Sequence, residues 1–285
     1  MTDVSVIVLD IDGGEMLLAC LDSIAMQTQP PREVIVFDNG SRTPVAERIA
    51  FRHGLHVFRS ETNLGFAGGN NEAYRHATGD YIALINNDVV LDRDWLATVT
   101  AALDGDPKLG AVQTILRRDE TTIDGAGIDI SDGTFRQAGH GLQLPGCQVA
   151  KLPNQPAGNS ATWQLGNPTW GVSATAALYR REALGDTIFD DTLFAYYEDV
   201  ELCARLHENG WQTEVLPVIK ATHRGSQSAS ILGGDALRLR TRNRYLVAKK
   251  HRGVGRIGAL LVEDIKLALR GRTSLRGILQ GLFTR

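Results

Sequence analysis

A chain of 285 residues, 43% hydrophobic and 22% charged, is long enough to bury a sizeable core as one large domain or as one domain plus an appendage. Its net charge of −3 hides an asymmetry: Asp235 to Arg285 holds 13 Lys/Arg against 3 Asp/Glu, a net of +10, which leaves the first 234 residues at −13. So acidic a body repels nucleic-acid and polyphosphate backbones unless a metal or a local basic patch intervenes, which argues against a nucleic-acid partner and for metal use. The three cysteines, Cys20, Cys147 and Cys203, are odd in number and lack metal-ligand spacing, which excludes a disulfide framework and a zinc cluster and fits a reducing cytoplasm. Neither a basic n-region nor a long apolar segment is visible, so a signal peptide and a spanning helix are not expected.

Strand-like runs at Val4 to Leu9, Val34 to Phe37, His56 to Phe58 and Tyr81 to Ile85 alternate with helix-like stretches near Glu15 to Gln27, Pro44 to His53, Gly69 to Ala77 and Asp94 to Leu103. This alternation predicts a mostly parallel α/β sheet with covering helices. The first helix should turn Leu17, Leu18, Leu21, Ile24 and Ala25 toward that sheet. From Leu116 to Leu165 the pattern decays into loops or hairpins over the site. Order returns with the small-residue run Gly171 to Tyr179 and with a helix from Asp199 to Gly210 that turns Leu202, Cys203 and Leu206 inward.

Asn86-Asn87-Asp88 places one short carboxylate just past a strand's carboxyl end, where open α/β sheets hold ligands. A divalent metal gripped there needs anionic partners, and diphosphate oxygens suit a hard, incompletely ligated cation. Asp38-Asn39-Gly40-Ser41 ends the second strand, either as a turn or as donors and acceptors for a base or ribose. The stretch Asn63 to Asn71, with Gly65, Gly68 and Asn70, joins a strand to a helix, and its glycines would bring backbone N–H groups to a phosphate or ribose. Glu198 and Asp199 put adjacent carboxylates at a helix start, as an N-cap, as a general base, or as both. His223 ends a strand-like Val218 to Thr222 and would join Asp88 as a ligand to Mn²⁺ or Mg²⁺. The other histidines read as surface or packing residues, and Trp170 reads as a wall aromatic or an acceptor-stacking one.

Val34 to Asn39, Asn63 to Asn70, Leu84 to Val89, Tyr179 to Leu184, Tyr196 to Leu202 and His223 together resemble bacterial family 2 glycosyltransferases, especially the rhamnosyltransferase-like branch. The resemblance spans Val4 to Lys250. It implies a GT-A fold and inverting, metal-dependent transfer of one sugar, rhamnose among the candidates, from a nucleotide-diphosphate donor to a hydroxyl of a glycan or lipid-linked acceptor. By the same resemblance Asp38, Asn39, Asn63, Gly65, Gly68, Asn70, Asn86 and Asn87 serve the nucleotide. Asp88 and His223 hold the metal, Asp199 is the base with Glu198 beside it, and Trp170 and Gly171 face the acceptor. Two departures stand out: Asp10-Ile11-Asp12 replaces the usual Thr-Tyr-Asn after the first strand, and Asn86 replaces the first motif carboxylate. The Gln-x-x-Arg-Trp signature of processive synthases is absent, which favours one sugar per encounter.

The expected organisation is a catalytic domain over 1–234, with a nucleotide half to about 115 and an acceptor half beyond it, followed by a basic helical extension over 235–285. That extension either closes the domain with solvated helices or adsorbs to anionic lipid on the inner face of the membrane. A sugar-nucleotide pyrophosphorylase would carry a basic Gly-rich loop near the N-terminus, and Asp10 to Gly14 has no Lys or Arg. A non-catalytic sugar-nucleotide-binding or scaffold protein is the remaining alternative.

Overall fold

A computed structural model describes residues 3–49, 54–130, 136–143, 169–225, 233–251, 257–268 and 273–284. In chain order the elements are β1 (Val4–Asp10), α1 (Gly14–Ala25), β2 (Glu33–Asn39), α2 (Val45–Arg48), β3 (Leu55–Ser60), α3 (Gly65–Tyr74), β4 (Tyr81–Asn86), β5 (Val89–Leu91) and α4 (Trp95–Gly105). There follow β6 (Leu109–Arg117), β7 (Ile123–Gly125), β8 (Ile128–Asp129), β9 (Arg136–Gln137), β10 (Ala176–Arg180), α5 (Arg181–Leu184), a short 3-10 turn (Asp191–Leu193), α6 (Glu198–Glu208) and β11 (Gln212–His223). Three C-terminal helices close the chain: α7 (Asp235–Lys250), α8 (Ile257–Ala268) and α9 (Leu275–Phe283).

One nine-stranded sheet organises the body in the order β3-β2-β1-β4-β10-β6-β11-β5, with β7 added beside β6. The four N-terminal strands run parallel, as the βα alternation predicts. Beyond them the sheet is mixed: β10 runs antiparallel to both β4 and β6, and β5 antiparallel to β11. The same sheet therefore continues through the expected boundary near residue 115, inside β6.

The strands read as nearly unbroken apolar runs because both faces are covered. Side chains alternate between two cores with the two-residue period of a strand. Val4, Val6, Val8, Val36, Ala83, Ile85, Ala176 and Leu178 face one core, which α1 and α4 close with Leu17, Leu21, Ile24, Trp95, Leu96 and Leu103. Ile7, Ile35, Phe37, Ile82, Leu84, Ala177 and Tyr179 face the other, closed by Ala67, Ala73 and Tyr74 of α3 and by Leu202, Cys203 and Leu206 of α6. Trp95 is fully buried, and its indole N–H donates to the Thr114 hydroxyl at 3.1 Å, which satisfies the one polar atom that burial would strand.

The inward face of α1 differs from expectation: Cys20 and Ser23 are buried in place of Leu18 and Ala25. The face is centred on the Leu17, Leu21, Ile24 row, and positions 18 and 25 fall to its side at 100° per residue. Helix α3 starts at Gly65, four residues before the expected Gly69. Helix α2 ends at Arg48, and the rest of the expected helix, from Ala50 on, lies outside the described residues, as do Cys147 and 144–168 of the poorly patterned segment. Cys20 and Cys203 are free, buried thiols.

The C-terminal region is tied into the body. The Asn243 side-chain amide on α7 donates to the carbonyls of Leu193, Ala195 and Tyr196 at 2.7 to 2.8 Å. Lys250 reaches Glu201 at 2.6 Å and Asp190 at 2.8 Å, and His251 contacts Glu201 at 3.4 Å and Glu208 at 2.9 Å. His251, expected to be a surface or packing residue, is thus part of the clamp that joins α7 to α6. No described helix is long and apolar enough to cross a membrane.

Candidate active site

Strand order reverses between β2 and β4 on either side of β1, and at such a switch point the carboxyl ends of neighbouring strands diverge into a crevice. A cavity of about 470 Å³ opens there. Leu9 and Ile11 come to it from the end of β1, Asn86, Asn87 and Asp88 from the β4–β5 turn, and Ser173 to Thr175 from the lead into β10. Tyr196 to Val200 line it from the start of α6, His223 from the end of β11, Arg136 and Gln137 from β9, and Arg240 from α7.

Asn87 and Asp88 form the two-residue turn between β4 and β5. Because β5 pairs with the end of β11, with Val89 opposite His223 and the Arg224 N–H donating to the Asp88 carbonyl at 3.0 Å, strand register brings His223 beside Asp88. His223 Nε2 lies 3.3 Å from Asp88 Oδ1, a buried oxygen that accepts no well-formed hydrogen bond. On its other side Nδ1 of the same ring contacts Asp124 Oδ2 at 2.6 Å. Burial alone would lower the His223 pKa, but the carboxylates of Asp124 and Asp88 overcome it and push it up to about 9. Asp124, in turn, is held below the usual carboxylate range: burial opposes the shift, and His223 and Arg118, at 3.1 Å, drive it.

The same cavity is lined by the carboxylate pair Glu198 and Asp199. Helix α6 begins at Glu198 and Tyr197 precedes it in the left-handed region, so Asp199 is not the N-cap but lies one residue inside the first turn. Its Oδ1 accepts the Val200 N–H at 2.8 Å. Glu198 is buried, and its Oε2 has no partner. Burial raises both groups; the neighbouring Asp199 charge raises Glu198 further, and hydrogen bonds to Asp199 from Val200, Ser173 and Ala174 hold its rise back. A carboxylate whose pKa is raised toward neutrality is a better proton acceptor than an exposed one, which suits a general base.

The backbone leading into α6 is strained: Phe194, Tyr196 and Tyr197 all have φ between 62 and 71° without being glycine. Each such residue costs about 1 kcal/mol or more, so the surroundings must fix it. Asn243 does so through three carbonyls, and the Phe194 carbonyl accepts the Ala67 N–H of α3 at 3.1 Å. Arg240 lies over the Tyr196 ring, 4.4 Å from its centroid, and faces the cavity.

Of the residues singled out from sequence, Asn86, Asn87, Asp88, Glu198, Asp199 and His223 line one cavity. The rest do not, and each has a physical reason. Asp38 is buried with both oxygens engaged, by the N–H groups of Ser41 and Val45 and by Arg59 at 2.5 Å, so it organises the turn after β2. Asn39 bonds Asn63, Leu64 and Gly65, and Asn70 bonds the Phe66 carbonyl. The glycine-rich stretch is therefore mostly the first turns of α3. A Cβ on Gly69 would stand 2.5 Å from Leu9 Cδ1, and one on Gly65, at φ 79°, 2.5 Å from the Phe194 carbonyl. These glycines serve close packing. Gly68 sits on the same helix, against Leu64. Trp170 meets His207 edge-on, and a Cβ on Gly171 would lie 2.8 Å from Cys203 Sγ, so both pack against α6 outside the cavity.

The segments that follow β1 and β4 interlock through Asp10 and Asn87. Asp10, fully buried, accepts from Asn87 Nδ2 at 2.6 Å and from Arg48 at 2.8 Å. A Cβ on Gly13 would fall 2.0 Å from Asp10 Oδ1, so the chain must be bare there. Sequence reasoning missed Asp124, Ser173, Arg136, Gln137 and Arg240. Asp124 sits in the unpatterned segment and Arg240 in a charge run, and neither carries a local signal.

At this switch point a lone turn carboxylate beside a histidine and a buried carboxylate pair line one cavity. The model for "Glycosyl transferase family 2" matches residues 5–187, and the chain belongs to that family. It is 24% identical over 296 residues to an N-acetylglucosaminyl-diphospho-decaprenol L-rhamnosyltransferase of Mycobacterium tuberculosis, an alignment covering 97% of this chain and 92% of that protein. It is also 29% identical over 235 residues to an uncharacterized Sinorhizobium fredii protein, with 79% of this chain aligned, yet it spans only 25% of that protein's length. Among solved structures, a mannosyltransferase from Pyrobaculum calidifontis in complex with GDP-Man and Mn²⁺ superposes with a TM-score of 0.61 at 20% identity, covering 96% of this chain and 77% of that one. This likeness establishes the GT-A fold expected from sequence.

Proposed function

We propose that the protein is an inverting glycosyltransferase that moves a single sugar from a nucleotide-diphosphate donor to a hydroxyl of a glycan or lipid-linked acceptor. The observation that carries the reading is the opening of the Asp88–His223 pair and the Glu198–Asp199 pair into one cavity. The rhamnosyltransferase relative makes rhamnose the first sugar to try and a lipid-linked glycan the first acceptor. Work on such an acceptor places the protein at the inner face of the membrane.

A divalent cation, Mn²⁺ or Mg²⁺, fits the donor set. Asp88 Oδ1 is a buried carboxylate oxygen lacking a hydrogen-bond partner, and His223 Nε2 converges on it. Two protein ligands leave room for diphosphate oxygens, as a hard cation requires. Bound there, the metal would supply Lewis-acid stabilisation of the leaving diphosphate. The chain's own residues do the remainder. Asp124 holds the His223 ring through Nδ1, and Asp199 accepts the proton of the attacking acceptor hydroxyl. Burial keeps the Asp199 proton affinity high, and the Asp199 charge raises buried Glu198 in turn. Attack from the face opposite the leaving group inverts the anomeric centre.

Release of nucleotide diphosphate from a panel of UDP-, GDP- and dTDP-sugars, with the product anomer read by proton NMR, tests this. Release with inversion is expected, and lost in Asp199→Asn. A retained anomeric configuration would refute the mechanism, and binding without release from any donor would favour a sugar-nucleotide-binding protein.

A further inference from the structure

Seven large apolar side chains are strongly exposed among the described residues, and six of them lie between residues 237 and 283: Leu237, Val262, Ile265, Leu275, Leu279 and Phe283. The distribution on α9 is the sharpest. Leu275, Leu279 and Phe283, exposed by 66, 57 and 77%, recur every four residues and form one stripe about 12 Å long. This stripe is not spare core. The opposite face of α9 is already docked: Gly277, Ile278 and Gly281 are buried, and a Cβ on Gly277 or Gly281 would come within 2.6 Å of α7, at the Arg238 carbonyl or Tyr245 Cβ. Lys249 ties down the end of the same helix by donating to the carbonyls of Gly281, Leu282 and Thr284. On α8, Val262 and Ile265 are exposed while Leu260 and Asp264 are buried. Exposed Lys266 and Arg276 sit beside Ile265 and Leu275.

A helix fixed by one face, apolar on the other and flanked by cations has the amphipathic signature of an element that lies in a lipid headgroup layer. We propose that α9, with the outward face of α8, is a membrane-docking surface whose occupant is an anionic lipid bilayer. The Leu275, Leu279 and Phe283 side chains enter the acyl boundary, and Lys266 and Arg276 meet lipid phosphates. The net charge of +10 on the segment that carries these helices, against −13 on the body, orients the protein with this end toward an anionic surface. The proposal deepens the membrane-side reading above by naming the surface, and it does not depend on sugar transfer.

Co-sedimentation of the full chain with phosphatidylcholine vesicles, with and without phosphatidylglycerol, provides the test. The wild type should pellet with phosphatidylglycerol vesicles, the triple variant Leu275→Ser, Leu279→Ser, Phe283→Ser about tenfold less, and Lys266→Glu with Arg276→Glu about tenfold less at low salt. Both variants alter exposed positions, and unchanged near-UV circular dichroism and unchanged vesicle-free release of nucleotide diphosphate would show that they fold. A wild type that stays in the supernatant, or a triple variant that pellets like wild type, overturns the proposal. So does sedimentation velocity showing a wild-type dimer that the triple variant dissolves, since the stripe would then face a second copy. Lost lipid binding with intact donor turnover, or the reverse, separates this surface from the catalytic reading.

Discussion

Glu201 joins α6 to the end of α7, and replacing it with Gln should loosen that junction in a pH-dependent way. Its carboxylate is 1% exposed and is contacted by Lys250 at 2.6 Å and by Arg205 and His251 at 3.4 Å. Burial would raise its pKa, but His251, Lys250 and Arg205 drive it from 4.5 down to about 2. At 1.36 kcal/mol per pKa unit, that shift corresponds to about 3 kcal/mol in favour of the folded state. A depressed carboxylate contributes fully above its unfolded pKa and loses the contribution as pH falls from about 4.5 to about 2. His251 has the opposite sign. Its pKa is raised, first by the Glu201 hydrogen bond, against the pull of burial and with help from Glu208, so its share is complete below 6.5 and fades as pH rises through the folded value. Urea titrations of wild type and Glu201→Gln should therefore differ most, by about 3 kcal/mol, between pH 4.5 and 6.5. The gap should shrink on either side and close near pH 2. A difference that is the same at pH 3, 5.5 and 9, or one below about 0.5 kcal/mol throughout, would refute the ionic origin of the clamp.

The remaining predictions concern the site. Asp199→Asn should preserve donor binding and cut turnover by about two to four decades; near-normal turnover would remove it as base. Because burial raises Asp199, the acid limb of the pH–rate profile should lie above the ordinary carboxylate range, and a limb near 4 would contradict that. Asp124→Asn should weaken Mn²⁺ binding, read by electron paramagnetic resonance, by about 10- to 100-fold while the fold stays intact; unchanged affinity would make Asp124 a structural partner only. Gly69→Ala should lower stability by about 1 to 3 kcal/mol in urea titration, because its Cβ would displace Leu9, and a neutral effect would mean that α3 can slide.

The fold was legible because strands covered on both faces write themselves as apolar runs, and the helices between them as periodic stretches. The strand-end positions of Asp88 and His223 and the helix-start position of Asp199 followed from those patterns. Asp38 and Asn39 are ambiguous in sequence because a turn needs the same acceptors a nucleotide would, and the turn and the start of α3 engage both side chains. Gly65 and Gly68 are ambiguous similarly: lack of a side chain suits phosphate approach and tight helix packing equally. Asp124 and Arg240 could not be found locally. Asp124 reaches His223 only through β7 pairing with β6, next to β11, and Arg240 reaches the cavity because Asn243 pins α7 to the strained carbonyls before α6. Such positions depend on contacts between segments about fifty to a hundred residues apart, which single-sequence periodicity does not encode.

The proposed role of Asp88 and His223 is to hold a metal for a nucleotide diphosphate in the cavity that Asp199 also lines. Calorimetric titration of UDP, GDP and dTDP into wild type, Asp88→Ala and Asp199→Asn, each with and without Mn²⁺, tests it directly. Tighter binding with Mn²⁺ that disappears in Asp88→Ala and survives in Asp199→Asn is the predicted result. Nucleotide affinity indifferent to Mn²⁺ in the wild type, or equally lost in both variants, would contradict it.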